Sequence, residues 1–207
     1  MDRAAAHHGV GDTRSGSPRW DDVYARRPEW DIGRPQPAFL ALAEAGAIRG
    51  KVLDVGCGTG EHVLMCAARD LDATGIDVSA GALEAARRKA RERGLSARFL
   101  LHDACRLSEL GESFDTVLDS GLFVHVIEHD ADREAYIDGL RIVIPPGGRY
   151  FMLCFRAQVP RHRGLTLQEI AAAFADGWQV ETIEPATLDG ATTPGGTPAW
   201  RLAVTRR

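Results

Sequence analysis

Short apolar runs alternate along the chain with segments whose apolar residues recur at helical spacing. Residues 51–55 (KVLDV) have the length and composition of a buried strand, and residues 60–69 follow with helical periodicity. Residues 72–77 (DATGID) predict a second strand ending in an acid. Ser79 then caps a long helix that runs through Arg93 and stops at Gly94. Further strands are predicted at 98–101 and 114–118, and a helix at 130–143. Pro145-Pro146-Gly147-Gly148 turns the chain into a strongly apolar strand at 149–155. A helix at 165–175 has Thr166 as its cap and Glu169 in the capping-box position. Strands at 179–184 and 199–204 close the chain as a hairpin around a proline-rich loop at 185–198.

Strand-helix alternation of this kind implies an α/β domain of three layers, with a seven-stranded, mostly parallel sheet and an antiparallel C-terminal strand. The 207 residues, 44% of them hydrophobic, supply one substantial core, whereas two domains would each be small. The opening residues 1–17 are polar and rich in glycine and serine, so they are expected to form a mobile tail. No internal repeat is present. In a sheet of this type the ligand crevice lies beyond the carboxyl ends of the strands. Gly56, Asp77, Asp103 and Asp119 all fall at or just past the predicted strand ends.

Charge and cysteine content narrow the function classes. A formal net charge of −4 gives no electrostatic reason to expect a nucleic-acid partner. The basic residues Arg87, Arg88, Lys89, Arg91 and Arg93 alternate with Ala and Glu at helical spacing, as on a solvated helix face. The four cysteines lie far apart with no CxxC pair, which indicates neither a zinc knuckle nor a disulfide framework; free thiols and a cytoplasmic setting are expected. No metal site is expected, and His7 and His8 read as part of the tail. No run reaches the 18 apolar residues of a membrane span, and no signal-peptide core is seen at the N-terminus, so no membrane partner is expected.

The stretch KVLDVGCGTGE places Gly56, Gly58 and Gly60 where a strand turns into a helix. Such spacing makes a tight turn and lets a ligand approach backbone N–H groups closely. A phosphate loop is excluded because no Gly-Lys-Ser/Thr follows. A dinucleotide site passes the spacing test, with Asp77 near the distance expected for gripping a ribose. Asp54 separates the two remaining cofactors: a carboxylate there sits badly beside a pyrophosphate but suits a cationic amino group, directly or through water. Asp103 is placed to accept from an adenine amino group, with the backbone of Ala104 nearby. S-adenosylmethionine, with an ammonium, a ribose and an adenine but no phosphate, answers these features together. Cys57 reads as a small residue filling a tight space within the turn.

At these motifs the chain resembles the class I S-adenosylmethionine-dependent methyltransferases, and within them the thiopurine methyltransferase-like small-molecule enzymes, over residues 18–207. VLDVGCGTGEH is similar to the family's first motif, GIDVS to its ribose-binding acid and HDA to its adenine-contacting segment. DSGLF at 119–123 is similar to the loop after the fourth strand, and PPGGRYFMLCF to the turn into the fifth. PEWDIGRPQPAF at 28–39 resembles an upstream segment that such enzymes use as a lid. The resemblance implies a Rossmann-like methyltransferase domain at 46–207 behind an N-terminal lid and helix at 18–45. It implies that Trp30, Gly33 and Gln36 border the cofactor chamber, together with Ile32, Pro35 and Pro37. It further implies cofactor contacts from Asp54, Gly56, Cys57, Gly58, Gly60, Asp77, Val78, Asp103, Ala104 and Asp119.

The family places His directly after DSGLF, whereas here Val124 intervenes before His125. His125 and Asp119 are the candidates for accepting a proton from a hydroxylated acceptor, Asp119 more as a shaper of the transfer pocket. Trp20 and Tyr24 share a helical spacing that suits either core packing or acceptor contact. The expected activity is transfer of a methyl group from S-adenosylmethionine to the oxygen or sulfur of a small aromatic or heteroaromatic molecule. The alternatives are a halide, sulfide or metalloid methyltransferase, a non-catalytic S-adenosylmethionine-binding protein, and an NAD-dependent oxidoreductase. The last should offer a second half or a catalytic Tyr/Lys or His/Asp arrangement, and neither is present. The nucleobase-reading Asn-Pro-Pro-Tyr is replaced by DSGL, which speaks against RNA. A monomer or a homodimer is expected.

Overall fold

The computed structural model describes residues 20–157, 159 and 163–207, so the predicted tail, including His7 and His8, lies outside the described residues. The described residues begin with two helices, α1 (Trp20–Ala25) and α2 (Pro37–Glu44), the second with proline at its first helical position, where a missing N–H costs nothing. The alternation follows: β1 (Lys51–Val55), α3 (Glu61–Ala67), β2 (Asp72–Asp77), α4 (Ala80–Glu92) and β3 (Arg98–Leu101). A 3-10 segment, Ala104–Leu110, leads to β4 (Thr116–Ser120), then α5 (Phe123–Val126), α6 (Asp130–Val143) and β5 (Arg149–Phe155). The last elements are α7 (Leu167–Ala173), β6 (Trp178–Gly190) and β7 (Thr193–Arg206).

The seven strands form one sheet in the order β3-β2-β1-β4-β5-β7-β6. All pair in parallel from β3 to β5, and β7 runs antiparallel to both β5 and β6. Side chains alternate between the two faces of each strand, and both faces are apolar. Val52, Leu118, Phe151 and Leu153 pack with α2, α3 and α4 on one face. Leu53, Val55, Val117, Tyr150 and Met152 pack with α6 and α7 on the other. These are the three layers expected from the sequence. The chain leaves β1 for β2 on one side and later returns to β4 on the other, so β1 and β4 flank the point where strand order reverses.

Two local expectations are corrected. The fourth strand runs two residues later than the predicted 114–118; Phe114 is buried ahead of it, and its N–H donates to Val143 O at 2.8 Å rather than to a strand. Asp115 holds the entry, accepting from the Lys51 N–H at 2.7 Å. The predicted loop at 185–198 is almost entirely strand, because β6 is the sheet edge and Pro185, opposite Trp200, needs no ladder donor on its outer side. Two register shifts, between Val180 and Thr182 and between Leu188 and Gly190, bend this long hairpin.

Helix α4 shows why the site is held tightly. Ala82, Leu83, Ala86 and Ala90 form its buried stripe, and the small alanines let it approach the turn after β1. On the same face Gly75, in the middle of β2, lies under that turn: a Cβ there would come within 2.7 Å of Cys57 Sγ and 2.8 Å of Val63 Cγ2. Its backbone is ordinary strand, so any cost of a side chain is one of packing. Gly75→Ala is expected to lower the unfolding free energy by about 2 kcal/mol, read as a lower urea midpoint; an unchanged midpoint would show that the layer has slack.

Candidate active site

The turn from β1 to α3 depends on glycine. Gly56, Gly58 and Gly60 have φ of 65°, 53° and 86°, in the left-handed region that other residues enter at a cost. Space is also short: a Cβ on Gly58 would lie 2.6 Å from the Tyr24 hydroxyl oxygen, and one on Gly60 would meet Ala86 and the Phe99 ring at 2.8 Å. The Cys57 N–H donates to Ile76 O at 2.9 Å, joining the turn to the end of β2.

Asp77, the last residue of β2, gathers this corner. Its Oδ2 accepts from the Gly58 N–H and its Oδ1 from the Ser79 N–H, both at 2.8 Å. Burial pushes its carboxyl up to about 6 against the pull of those two donors, and the charge of Asp54 acts in the same upward direction. Each oxygen retains lone-pair capacity for a further donor. Ser79, capping α4, accepts from the Ala82 N–H at 3.1 Å and donates to Asp21 Oδ1 at 2.6 Å, which fastens α1 over the corner.

The N-terminal segment, the expected lid, is tied at both ends. Asp31 accepts from the Thr59 hydroxyl at 2.7 Å, and Lys89 donates to the same hydroxyl at 2.7 Å. At the other end Gln36 exchanges two hydrogen bonds with the backbone of Asp189, at 3.0 and 2.8 Å, and Arg34 pairs with the Asp189 carboxylate at 2.7 Å. The Ala191 N–H adds a bond to Glu29 O at 2.8 Å. The β6–β7 hairpin is therefore long for a reason visible in the fold: its tip holds the lid.

Lid and strand ends enclose a cavity of about 680 Å³. Of the residues predicted from the sequence, Trp30 and Gln36 line it from the lid, and Gly56, Cys57, Gly58 and Gly60 from the turn. Asp77 and Val78 and Asp103 and Ala104 line it from the ends of β2 and β3, and His125 from α5 after β4. Asp103 caps the 3-10 segment, accepting from the Cys105 N–H at 2.9 Å. His125 stands edge-on to Trp20, with ring centroids 5.1 Å apart. On the wall of a concave site its ring is reached by water yet surrounded by protein, and this crowding, with Arg163 nearby, holds its pKa below the usual histidine value despite Glu128.

Five predicted residues, Gly33, Pro35, Pro37, Asp54 and Asp119, do not line the cavity. Gly33 is exposed, with φ of 71°, and turns the chain between Ile32 and Arg34, which do line it. Asp54 is buried behind the wall; its Oδ2 has no hydrogen-bond partner and lies 3.7 Å from His62 Nδ1. Asp119 was expected to meet the cofactor or take a proton. It is instead fully buried: Oδ2 accepts from the Tyr136 and Tyr150 hydroxyls at 2.7 and 2.8 Å, and Oδ1 from the Leu122 and Phe123 N–H groups at 2.9 and 3.3 Å. The later course of β4 explains this, since Asp119 lies inside the sheet opposite Val55 and Met152. Burial raises its carboxyl to about 6 in spite of the four donors. Its part is to tie β4 to α6 and β5 and to close the turn into α5.

The sequence reading passed over His62, Phe155 and Leu188, which also line the cavity. Phe155 ends β5, so the strand-end rule that selected the acids also applies to it. His62 closes the quoted first motif, but its spacing alone does not say which atoms it meets. Among the described residues, no group of three or more His, Cys, Asp or Glu side chains is placed to hold a metal ion.

The donor set fits one ligand better than another. A buried, unsatisfied carboxylate oxygen at Asp54 suits a cation, and Asp77 and Asp103 offer acceptors to hydroxyl and amino groups. A pyrophosphate would face these acids with like charge. Residues 52–148 match the family described as Methyltransferase domain. The chain is 35% identical over 170 residues to 2-heptyl-1-hydroxyquinolin-4(1H)-one methyltransferase of Mycobacteroides abscessus, covering 79% of this chain and 74% of that one. The chain belongs to the class I S-adenosylmethionine-dependent methyltransferases. A solved structure from work on conversion of a disulfide bond into a thioacetal group during echinomycin biosynthesis is 36% identical, with a TM-score of 0.80 over 90% of this chain and 91% of that one. Magnesium protoporphyrin IX methyltransferase of Synechocystis PCC 6803, solved with bound S-adenosylmethionine, shares the fold at 21% identity and a TM-score of 0.63, covering 95% of this chain and 87% of that one.

The protein is thus a small-molecule methyltransferase with S-adenosylmethionine as cofactor, and the dinucleotide alternative is set aside. Within it the Asp119 cluster is expected to serve stability. Asp119→Ala, which strands two buried tyrosine hydroxyls and two N–H groups, should cost about 3 kcal/mol, and Tyr136→Phe, which leaves Asp119 three donors, about 1 kcal/mol. Urea unfolding of both variants checks this; equal losses would contradict the shared-acceptor arrangement.

Proposed function

We propose that this methyltransferase acts on an oxygen or sulfur atom of a small aromatic or heteroaromatic molecule, as the thiopurine methyltransferase-like enzymes do. The observation that carries this reading is the aromatic wall beside the glycine turn. Trp20 and Trp30 meet edge to face at 6.4 Å, Tyr24 stands against Trp30 at the same distance, and His125 lies against Trp20. Such a wall offers flat, apolar surface with one polar nitrogen beside it. The Mycobacteroides abscessus relative, whose name gives a hydroxylated heteroaromatic acceptor, supports the same class.

The residues take the following roles in this reading. Asp77 accepts from the ribose hydroxyls, Asp103 and the Ala104 backbone meet the adenine, and Asp54 acts on the amino-acid end from behind the wall. Bound S-adenosylmethionine supplies an electrophilic methyl group on a sulfonium. The chain's task is then alignment and the exclusion of water, which the lid carries out through Trp30 and Tyr24. His125, held toward its neutral form, offers a lone pair to the proton of an acceptor hydroxyl. A thiol ionises closer to neutral pH and needs that help less.

A panel of hydroxylated heteroaromatics, phenols, aromatic thiols and halide ions, incubated with methyl-labelled S-adenosylmethionine, tests the proposal. Label is expected on the hydroxylated heteroaromatics or aromatic thiols, and His125→Ala should slow hydroxyl acceptors about 100-fold while slowing thiols less than about tenfold. Label on halide alone would overturn the aromatic reading, and equal effects of His125→Ala on both acceptor types would remove the base.

A further inference from the structure

His62 stands where three elements meet. It belongs to α3, lines the cavity with a side chain only 12% exposed, and packs edge-on against Phe39 of α2 with centroids 4.7 Å apart. Its Nε2 lies 3.2 Å from the Gln36 amide nitrogen and accepts that N–H. A backbone amide only donates, so Nε2 carries the lone pair, and the proton of the neutral ring sits on Nδ1. That Nδ1 is 3.7 Å from Asp54 Oδ2, the buried oxygen that has no hydrogen-bond partner. The two groups face each other across a gap slightly too long for a hydrogen bond.

The other side of His62 leads to the lid. Gln36, whose amide it holds, is the residue clamped through its side chain to Asp189 at the hairpin tip. One imidazole therefore touches the residue that anchors the lid and faces Asp54 Oδ2, among the described residues the one buried carboxylate oxygen without a hydrogen-bond partner. A neutral ring is the form this arrangement needs. A doubly protonated ring would set an N–H against the Gln36 N–H, and would spend the Asp54 charge on the protein's own cation.

We infer that His62 is a positioning residue that couples the ammonium end of the cofactor to the lid, steadying Asp54 through Nδ1–H and the Gln36 amide through Nε2. This rests on the cofactor assignment of the cavity and adds a specific chemical dependence to it. The strength of the coupling follows the ligand's primary ammonium and not its adenosine part.

Calorimetric binding of two ligands separates those parts. S-adenosylhomocysteine carries the amino-acid end, and 5′-methylthioadenosine has the same adenosine and sulfur without it. His62→Phe keeps a flat ring against Phe39 and removes both nitrogens, while His62→Gln retains a group that donates and accepts. His62→Phe is expected to weaken S-adenosylhomocysteine about tenfold and to leave 5′-methylthioadenosine within about twofold, with His62→Gln in between. Hydrogen exchange at the Gln36 amide gives a second readout: in the parent protein S-adenosylhomocysteine slows it more than 5′-methylthioadenosine does, and in His62→Phe the two act alike. Equal weakening of both ligands, or none, overturns the inference while leaving the cofactor assignment in place. Failure of the parent protein to bind either ligand overturns the assignment and the inference with it. Should His62→Phe fail to give a native circular dichroism spectrum, the His62→Gln comparison decides by the same criteria.

Discussion

The Asp77 carboxylate is the interaction on which the site's geometry hangs. It accepts the Gly58 N–H with one oxygen and the Ser79 N–H with the other, so the turn after β1 and the start of α4 are fixed to one group. Neither partner is interchangeable. The turn needs glycines because of its left-handed backbone and the pressure from Tyr24, Ala86 and Phe99, and α4 needs Ser79 as its cap. A buried carboxylate is costly, and two short backbone hydrogen bonds offset only part of that cost, as its upward-shifted pKa records. The same oxygens face the cavity. Under the proposed function, structure and ligand binding thus draw on one carboxylate.

Around this corner the fold divides its labour. The sheet supplies rigid strand ends, and buried Asp119 fixes the end of β4 against α6 and β5 without entering the cavity. The lid is more polar and is held by discrete bonds: α1 to Ser79, Asp31 to Thr59, and Gln36 and Arg34 to Asp189. Such a segment can loosen one contact at a time without disturbing the apolar layers beneath, which suits a cover over a ligand that must enter and leave.

The legible parts of the sequence were those with a strong local pattern. Parallel strands covered on both faces read as short apolar runs, and α6 falls on the predicted 130–143 because its stripe and its flanking residues agree. The closing hairpin was foreseen but its length was missed, because Pro185 and the glycines near 195 carry turn chemistry, while the partners that make them strand lie across the sheet. Asp119 was misjudged for a related reason. An acid after an apolar run reads as a strand end facing a ligand, and only Tyr136 and Tyr150, 17 and 31 residues further on, reveal that it is an internal acceptor. The glycine turn was legible because its motif is contiguous. Trp30 and His125 were called singly, but their meeting with Trp20 was not legible, since it depends on how the N-terminal segment lies over the strand ends.

The shared role of Asp77 is tested most directly by titrating S-adenosylhomocysteine into the protein calorimetrically between pH 5 and pH 8, with Asp77→Asn alongside. Burial pushes the free carboxyl up to about 6, and in the proposed role only its ionised form accepts two ligand hydroxyls, so affinity should fall as pH drops through that value. The loss expected at pH 5 is about tenfold relative to neutral pH. Asp77→Asn should bind weakly with no such slope. A parent protein whose affinity is flat across this range, or a variant that keeps the slope, would contradict the account.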